Sequence, residues 1–223
     1  MNHLPIRSSY EAPPAISLTG SEVALVPLSA NHRDDLYALS TAKGAEDRFR
    51  YLFEHVPTPE SFEQFMVKAC ARKDPMYVAV IRKEDGRCLG RQSLMRITPD
   101  HGVIEIGNIL WGPDMARTPM ATEALYLHAR YVFETLGYRR FEWKCNALNA
   151  PSRRAALRFG FRFEGVFRQH MIVKGLSRDT AWYAMLDHEW PRIKQHFERW
   201  LSPENFDGKG SQKTQLRAGL LSL

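Results

Sequence analysis

The sequence predicts one α/β domain whose central sheet is mixed but mostly antiparallel and is flanked by helices. Three observations lead to this prediction. Strands joined by a hairpin turn occupy the first half of the chain, two strand–turn–helix units follow between residues 102 and 160, and 223 residues with 44% apolar content suit one full-sized core. A strand reached through a helical crossover runs parallel to its neighbour, so these units add parallel pairs to an antiparallel meander.

The first half of the chain is assigned from apolar alternation, helix caps and proline content. The predicted elements are an extended arm over 1–17, a strand over 23–28, a helix over 31–42, an irregular aromatic link over 43–58, a helix capped by Thr58 that runs through Cys70, and two strands over 77–81 and 88–97 joined by a turn at Gly86. The domain itself is predicted to span residues 18–201.

The second half begins with a long apolar strand over 102–111, which Gly112-Pro113-Asp114 ends. Thr118 as N-cap and Pro119 as first helical residue then start a helix that Gly137 closes. The remaining predicted elements are a strand over 141–146, a helix from Asn149 to Phe159 closed by Gly160, two strands over 161–173 and 179–186, a helix from Glu189 to Leu201, and a flexible tail over 202–223.

Composition argues against several classes of protein. No run approaches the roughly 20 apolar residues of a membrane span, and residues 1–17 lack the apolar stretch of a signal peptide. The three cysteines are odd in number and widely spaced, which argues against a disulfide framework and a zinc site and favours a reducing cytoplasm. The net charge of +6 comes without a basic run or a nucleic-acid motif, so it suits an anionic ligand better than DNA or RNA.

The turn before the helix at Pro119 is a natural anion site, because the free N–H groups of a first helical turn and the helix dipole attract negative charge. Most strand–turn–helix units bind no ligand, so the assignment of a ligand here depends on short motifs elsewhere in the chain. They are EIG at Glu105–Gly107, ATEA at Ala121–Ala124, NAPS at Asn149–Ser152, and Gly160-Phe161. Together with the opening segment over 20–36, they resemble the GNAT superfamily of acyl-CoA-dependent N-acyltransferases, in particular the branch of the ribosomal-protein N-terminal acetyltransferases.

The resemblance covers roughly residues 18–190 and implies a GNAT fold. It also implies direct transfer of an acetyl group from acetyl-CoA, as co-substrate and without a metal, to a primary amine on a protein N-terminus or a small molecule. In this family a splayed strand pairs with the pantetheine arm and supplies a backbone N–H to the oxyanion. These roles map to Ile109, Leu110 and Trp111, with Asn108 nearby.

The phosphate loop departs from the family pattern R/Q-x-x-G-x-G/A. Aligned on ATEA, the pattern places a proline at position 119 and displaces the arginine to Arg117. Since Pro119 has no N–H, our hypothesis is that Thr118, Met120 and Ala121 donate to the pyrophosphate while the Arg117 side chain offsets the lost donor. The alternative is that the loop no longer binds phosphate.

The α-helix that starts at Asn149 carries further candidates. Ala156 replaces a tyrosine that protonates the leaving thiolate in many members, and Ser152 is the candidate substitute, although serine in a first turn is commonly a cap. Asn149 is predicted to cap the helix and to contact the pantetheine arm. Arg153, in a cluster with Arg154 and Arg158, is the candidate for the CoA 3′-phosphate; the alternative is an exposed charged face.

Glu105 is the first candidate for the base that deprotonates the acceptor amine, directly or through water. It is the acidic residue of an apolar strand, and burial raises a carboxylate's affinity for a proton. The alternative is an ion pair with Arg91, Arg96 or another basic neighbour on the sheet. His170 is a second, weaker candidate for the base.

Two further functions remain open at this point. The altered loop and the missing tyrosine leave open a non-catalytic module that binds acyl-CoA or nothing, and the positive net charge leaves open a nucleic-acid-binding module. We expect an amine-bearing acceptor as partner, no nucleic acid or membrane partner, and either a monomer or a homodimer, because the apolar face over 193–201 fits its own domain as well as a second subunit.

Overall fold

The structure, a computed structural model, describes residues 9–216 and residue 218. Its strands are β1 (Leu18–Thr19), β2 (Val23–Pro27), β3 (Met76–Arg82), β4 (Cys88–Thr98), β5 (Val103–Trp111), β6 (Arg140–Asn146), β7 (Arg162–Val173) and β8 (Leu176–Leu186). Its helices are α1 (Arg33–Thr41), α2 (Ala45–Phe49), α3 (Pro59–Ala71), α4 (Pro119–Arg130), α5 (Ala150–Arg158) and α6 (Trp190–Leu201). A π-helical turn over Tyr131–Thr135 continues α4. The predicted α/β class is confirmed.

The strands form one sheet in the order β1-β2-β3-β4-β5-β6-β8-β7. All neighbours pair antiparallel except β5 and β6, which the α4 crossover joins in parallel. The prediction that the α5 crossover also places a parallel neighbour beside β6 is wrong. After α5 the chain forms the β7–β8 hairpin, which turns at Gly175 with a φ of 75°, and β8 lies between β6 and β7, antiparallel to both.

The pair of β5 and β6 opens partway along its length. Ladder pairing runs from Val103 opposite Arg140 to Ile106 opposite Trp143 and then stops among the described residues. β5 continues to Trp111 on β4 alone, with a register shift near Asn108, whose φ is 51°. A bulge bends its strand and increases its twist, so the two strands diverge and leave a gap in the sheet.

The two faces of the sheet have different coverings. Helices α4, α5 and α6 bury one face with a large aromatic and aliphatic core that includes Tyr138, Phe141 and Phe161. On the opposite face, α1 and α3 cover the N-terminal strands. Register places Glu105 beside Glu142, and Lys144 beside Trp182, on that second face of β5, β6 and β8. A polar, open area therefore borders the gap.

Two segments differ from their predicted irregular state. The link over 43–58 contains helix α2, which buries Phe49 against the second core. The predicted flexible tail packs on the domain over its described part, where Leu216 and Ala218 are buried and Trp200 Nε1 donates to Gln212 Oε1 at 2.9 Å. Its apolar end at residues 220 and 221, and residues 1–8 of the predicted arm, lie outside the described residues. The domain limits at 18 and 201 stay a prediction.

None of the helices in the described ranges is long and apolar enough to span a bilayer.

Candidate active site

A cleft of about 1190 Å³ passes through the gap between β5 and β6. One half lies on the helix side and is lined from the N-terminus of α4, the inner face of α5, and Trp200 of α6. The other half opens on the uncovered face, where β5, β6, β8 and the loop after α2 line it. Because the cleft reaches both faces, two ligands that enter from opposite sides can meet at the gap.

The N-terminus of α4 borders the helix half as predicted, but its donors differ. The Thr118 N–H already donates to Met115 O at 3.2 Å, and the Thr118 hydroxyl donates to the same oxygen at 2.7 Å. Thr118 is therefore the N-cap by position, but it neither caps with its side chain nor offers a free N–H. Ala121 lines the cleft and its N–H belongs to the first turn, whereas Met120 does not line it.

Arg117 precedes that turn in a left-handed conformation with a φ of 69°. It lines the cleft and is exposed. Within residues 9–216, neither its side chain nor its N–H has a hydrogen-bond partner. Arg117 is thus placed as the hypothesis of a compensating phosphate contact requires, and the contact itself stays a prediction.

The arginines of α5 divide between two environments. Arg153 does not line the cleft; its guanidinium donates to Tyr183 Oη at 3.1 Å and to Ala147 O at 3.3 Å. Arg158 does line the cleft, where it donates to Thr122 Oγ1 at 3.1 Å and lies over the Trp200 ring. Burial lowers the pKa of Arg158. The predicted contact of Arg153 with the 3′-phosphate of CoA stays a prediction. Among the arginines of α5, Arg158 is the one that lines this half of the cleft, on the helical face that it shares with Ser152 and Ala155.

The start of α5 is built as predicted. Asn149 Oδ1 accepts the Ser152 N–H at 3.1 Å, which caps the helix, and both residues line the cleft. The Ser152 hydroxyl accepts from Trp143 Nε1 at 3.0 Å and lies close to the Cys145 thiol. Burial raises the pKa of Cys145, and the neighbouring Ser152 hydroxyl partly opposes this rise.

Glu105 sits at the gap, 3% exposed, inside a network of charges. Arg96 Nη1 donates to both of its carboxylate oxygens at 2.7 Å, and Lys144 Nζ lies 2.9 Å from Oε2. The alternative of an ion pair is therefore correct for Arg96, whereas Arg91 pairs with Glu54 at 3.2 Å. The Glu105 carboxylate, held by these two cations, lines the cleft.

The segment of β5 beyond the last pair with β6 forms one edge of the gap. Ile109, Leu110 and Trp111 all line the cleft, and their strand keeps β4 as its partner on the other side. Trp111 is fixed by a hydrogen bond from its Nε1 to Gln92 Oε1 at 3.0 Å, and Asn108 Nδ2 donates to Ser93 Oγ at 3.1 Å. A strand edge without a neighbour offers backbone groups to an extended ligand.

Two polar side chains of β7 and β8, His170 and Arg178, also line the open half of the cleft. His170 is exposed and its Nδ1 lies 3.0 Å from Thr180 Oγ1. Arg178 lines the same half and is 6% exposed. Sequence reasoning missed Arg178 because the place of β8 in the sheet was not predicted. It missed Lys144 because the contact with Glu105 depends on which residues of β5 and β6 face each other. In the described part of the chain, no group of three or more His, Cys, Asp and Glu side chains is placed to hold a metal ion.

Comparison with known proteins agrees with this geometry. A family model described as an acetyltransferase (GNAT) domain matches residues 22–162. The chain is 54% identical to a solved structure of a GCN5-related N-acetyltransferase from Brucella melitensis, with a TM-score of 0.92 over 94% of this chain and 96% of that one. It is 36% identical to a probable GNAT-family acetyltransferase from Chromobacterium violaceum, with a TM-score of 0.78 over 86% of this chain and 98% of that one.

A curated relative agrees with the solved structures. The Bacillus subtilis protein named uncharacterized N-acetyltransferase YnaD is 30% identical over 143 residues, which are 63% of this chain and 81% of the relative.

Proposed function

Because the chain belongs to the GNAT acetyltransferase family, we propose that it moves an acetyl group from acetyl-CoA directly to a primary amine. The observation that carries the proposal is the cleft through the gap between β5 and β6, which opens on both faces of the sheet. Acetyl-CoA enters from the helix side and the amine from the open face. The resemblance to the ribosomal-protein branch favours a protein N-terminus as acceptor, with a small-molecule amine as the other candidate, and the three free cysteines suit a reducing cytoplasm.

The helix half of the cleft fits the charge and shape of acetyl-CoA. Arg158 and Arg117 supply cations for its phosphates, and the first-turn N–H of Ala121 adds a donor. The edge of β5 over Ile109 to Trp111 takes the extended pantetheine arm, and Asn149 faces the same space. When bound, acetyl-CoA supplies the activated acyl group.

Proton movement is assigned to side chains on opposite sides of the gap. The amine arrives as an ammonium ion, and Glu105 takes its proton directly or through water, held in place by Arg96 and Lys144. The Ser152 hydroxyl accepts a hydrogen bond from Trp143 and lies beside the Cys145 thiol, and we assign its O–H as the donor to the leaving sulfur. A β5 N–H stabilises the negative charge that develops on the acyl oxygen.

The test is acetyl transfer by the full chain, measured as thiol release with acetyl-CoA and a panel of N-terminal peptides and small amines. We expect release that depends on the amine, with the acetylated product seen by mass spectrometry. Glu105→Gln is expected to lower kcat/KM by about 10²- to 10⁴-fold, the usual contribution of general base catalysis. Glu164→Gln is the matched control, since Glu164 pairs with Arg140 outside the cleft.

One result would contradict the proposed transfer, and another would change only the assignment of the base. Tight binding of acetyl-CoA with no transfer to any amine would favour the non-catalytic acyl-CoA-binding module. The altered phosphate loop and the ion pairing of Glu105 are consistent with that alternative. Equal kcat/KM for Glu105→Gln and the wild type would remove Glu105 from the mechanism and leave His170 as the candidate base.

A further inference from the structure

The open half of the cleft contains a buried cation without a counter-ion. Arg178 projects from β8 and is 6% exposed. Across the described residues, its guanidinium has neither a carboxylate partner nor a hydrogen-bond acceptor, and its Nε is fully shielded from solvent. Burial lowers the pKa of Arg178, although a guanidinium stays charged in proteins. A buried charge in this condition is unfavourable unless a ligand pairs with it.

The neighbouring charges of the same face are already matched. Arg96 pairs with Glu105 at 2.7 Å. Lys144 Nζ lies 2.9 Å from Glu105 and 2.6 Å from Glu142. Among the described residues, these pairs leave Arg178 without a carboxylate at ion-pair distance, and Glu105 acts on it only at longer range. The cleft thus presents a positive group beside the proposed base.

The Arg178 guanidinium lies beside an aromatic ring of the cleft wall. Its Cζ lies 5.1 Å from the centre of the Phe53 ring, within the range of a cation–π contact. Phe53 and Tyr51 come from the loop after α2 and line the same half, and the Tyr51 hydroxyl donates to Leu148 O at 3.3 Å. The planar fork of a guanidinium matches the two oxygens of a carboxylate.

We propose that Arg178 binds a carboxylate carried by the acceptor, so that the preferred acceptor is a primary amine with an anionic carboxylate a few bonds away. This inference rests on the proposed function, since it assumes that the amine enters from the open face. The carboxylate belongs either to a small amino acid or to an acidic side chain near a peptide N-terminus. Both sources present the same group to Arg178.

The experiment compares acids with their neutral amides as acceptors. One arm uses ω-amino acids of two to five carbons against their primary amides. The other uses tripeptide amides with a free N-terminus and either Asp or Asn as the second residue. Each pair is assayed for kcat/KM with wild type, Arg178→Gln, Arg178→Lys and the control Arg168→Gln, whose side chain is exposed on β7 outside the cleft.

We expect the wild type to prefer the acid in at least one arm, and the arm identifies the source of the carboxylate. Arg178→Gln should lower kcat/KM for the acid by about 10- to 100-fold, the effect of a lost charged hydrogen bond, and change the amide little. The kcat/KM of Arg178→Lys for the acid should lie between those of the wild type and Arg178→Gln, and that of Arg168→Gln should equal the wild-type value. An acid-to-amide ratio that is the same in wild type and Arg178→Gln for every pair would overturn the proposal.

Two further measurements separate this proposal from its premise and from a structural role. Calorimetric binding of the acids in the presence of CoA reports the subsite without turnover. Binding that depends on Arg178, with no acetylation of any amine, would support the subsite and contradict the proposed function. Arg178→Gln should unfold at a temperature no lower than the wild type, because it removes a buried unpaired charge; a lower Tm together with an unchanged ratio would show that Arg178 is structural.

Discussion

Arg158 and Arg154 stand four residues apart on α5 but face different surroundings. Arg158 lines the cleft and contacts Thr122, whereas Arg154 is exposed outside it. We expect Arg158→Ala to raise the Kd of CoA by about 10- to 100-fold, since it removes a charged contact in a partly buried site. Arg154→Ala should change the Kd less than about twofold, as exposed charges contribute little. Isothermal titration calorimetry on both variants measures the difference.

Dephospho-CoA identifies which phosphate Arg158 meets. If Arg158→Ala weakens CoA and dephospho-CoA by the same factor, the contact is with the pyrophosphate. A loss confined to CoA would assign it to the 3′-phosphate. Equal Kd values for Arg158→Ala and Arg154→Ala would show that Arg158 contributes no more to CoA binding than an exposed arginine does. That result would contradict the role given to Arg158.

At the residue scale, the sequence predicted where side chains lie in the fold better than it predicted which groups surround them. The cap by Asn149, the place of Ser152 and the location of Glu105 in the cleft follow from local spacing. The ion pair between Glu105 and Lys144 depends on the parallel contact of β5 and β6. The helix between these strands predicts that they are neighbours, but not which side chains meet. Arg178 could not be selected, because the absence of a partner is a property of the folded surroundings.

Helix α4 is held to the sheet by a buried polar network around His128. The His128 side chain is fully buried, and its Nδ1 accepts from Gln92 Nε2 at 2.8 Å. Gln92 also donates to Ala124 O at 3.2 Å and accepts from Trp111 Nε1 at 3.0 Å, so α4 and the gap-forming strand share one side chain. Burial lowers the pKa of His128 to about 3. The imidazole is therefore neutral in the folded state at ordinary pH.

Because His128 is buried and neutral, the free energy of unfolding decreases as the pH falls. The unfolded chain takes up a proton at His128 as the pH falls below 6.5, the ordinary pKa of histidine, whereas the folded chain does not until the pH approaches about 3. The unfolded state thus binds more protons as the pH falls, and stability decreases. Between pH 7.5 and 5.0 we expect His128 to account for a loss of about 2 kcal/mol in unfolding free energy.

Urea unfolding of the wild type and His128→Asn at these two pH values measures that loss. Asparagine keeps an acceptor for Gln92 but has no titrating group in this range, so the variant should lose about 2 kcal/mol less than the wild type between the two pH values. Its lower overall stability, from the smaller side chain, cancels in this comparison. The same loss in both proteins would place the pH dependence elsewhere.

At the element scale, helices and strands were predictable where their ends carry chemical signals. Thr58 and Asn149 were predicted to cap helices and Gly175 to form a turn, and each does so in the structure. Helix α2 was missed because it is short and begins after a glycine with a φ of 82°, without a side-chain cap. The place of β8 was missed because chain order favours β7 as the neighbour of β6, while the tight hairpin brings β8 there instead.

For the whole molecule, the decisive feature is that the sheet opens between β5 and β6. The helix side offers cations and a helix N-terminus, and the open side offers Glu105, His170 and Arg178. The fold class followed from the pattern of strands and helices. The division of the cleft into two entrances did not, because it arises from a bulge at Asn108 and from the divergence of two strands that are distant in sequence.

The measurement that tests the central claim most directly is the initial-velocity pattern of acetyl transfer when acetyl-CoA and an amine are varied together. A cleft that holds both substrates at once requires a ternary complex, so reciprocal plots should intersect and the enzyme should carry no acetyl group after incubation with acetyl-CoA alone. Parallel lines, with a covalent acetyl-enzyme detected by mass spectrometry, would indicate a ping-pong reaction. That result would contradict direct transfer across the gap between β5 and β6.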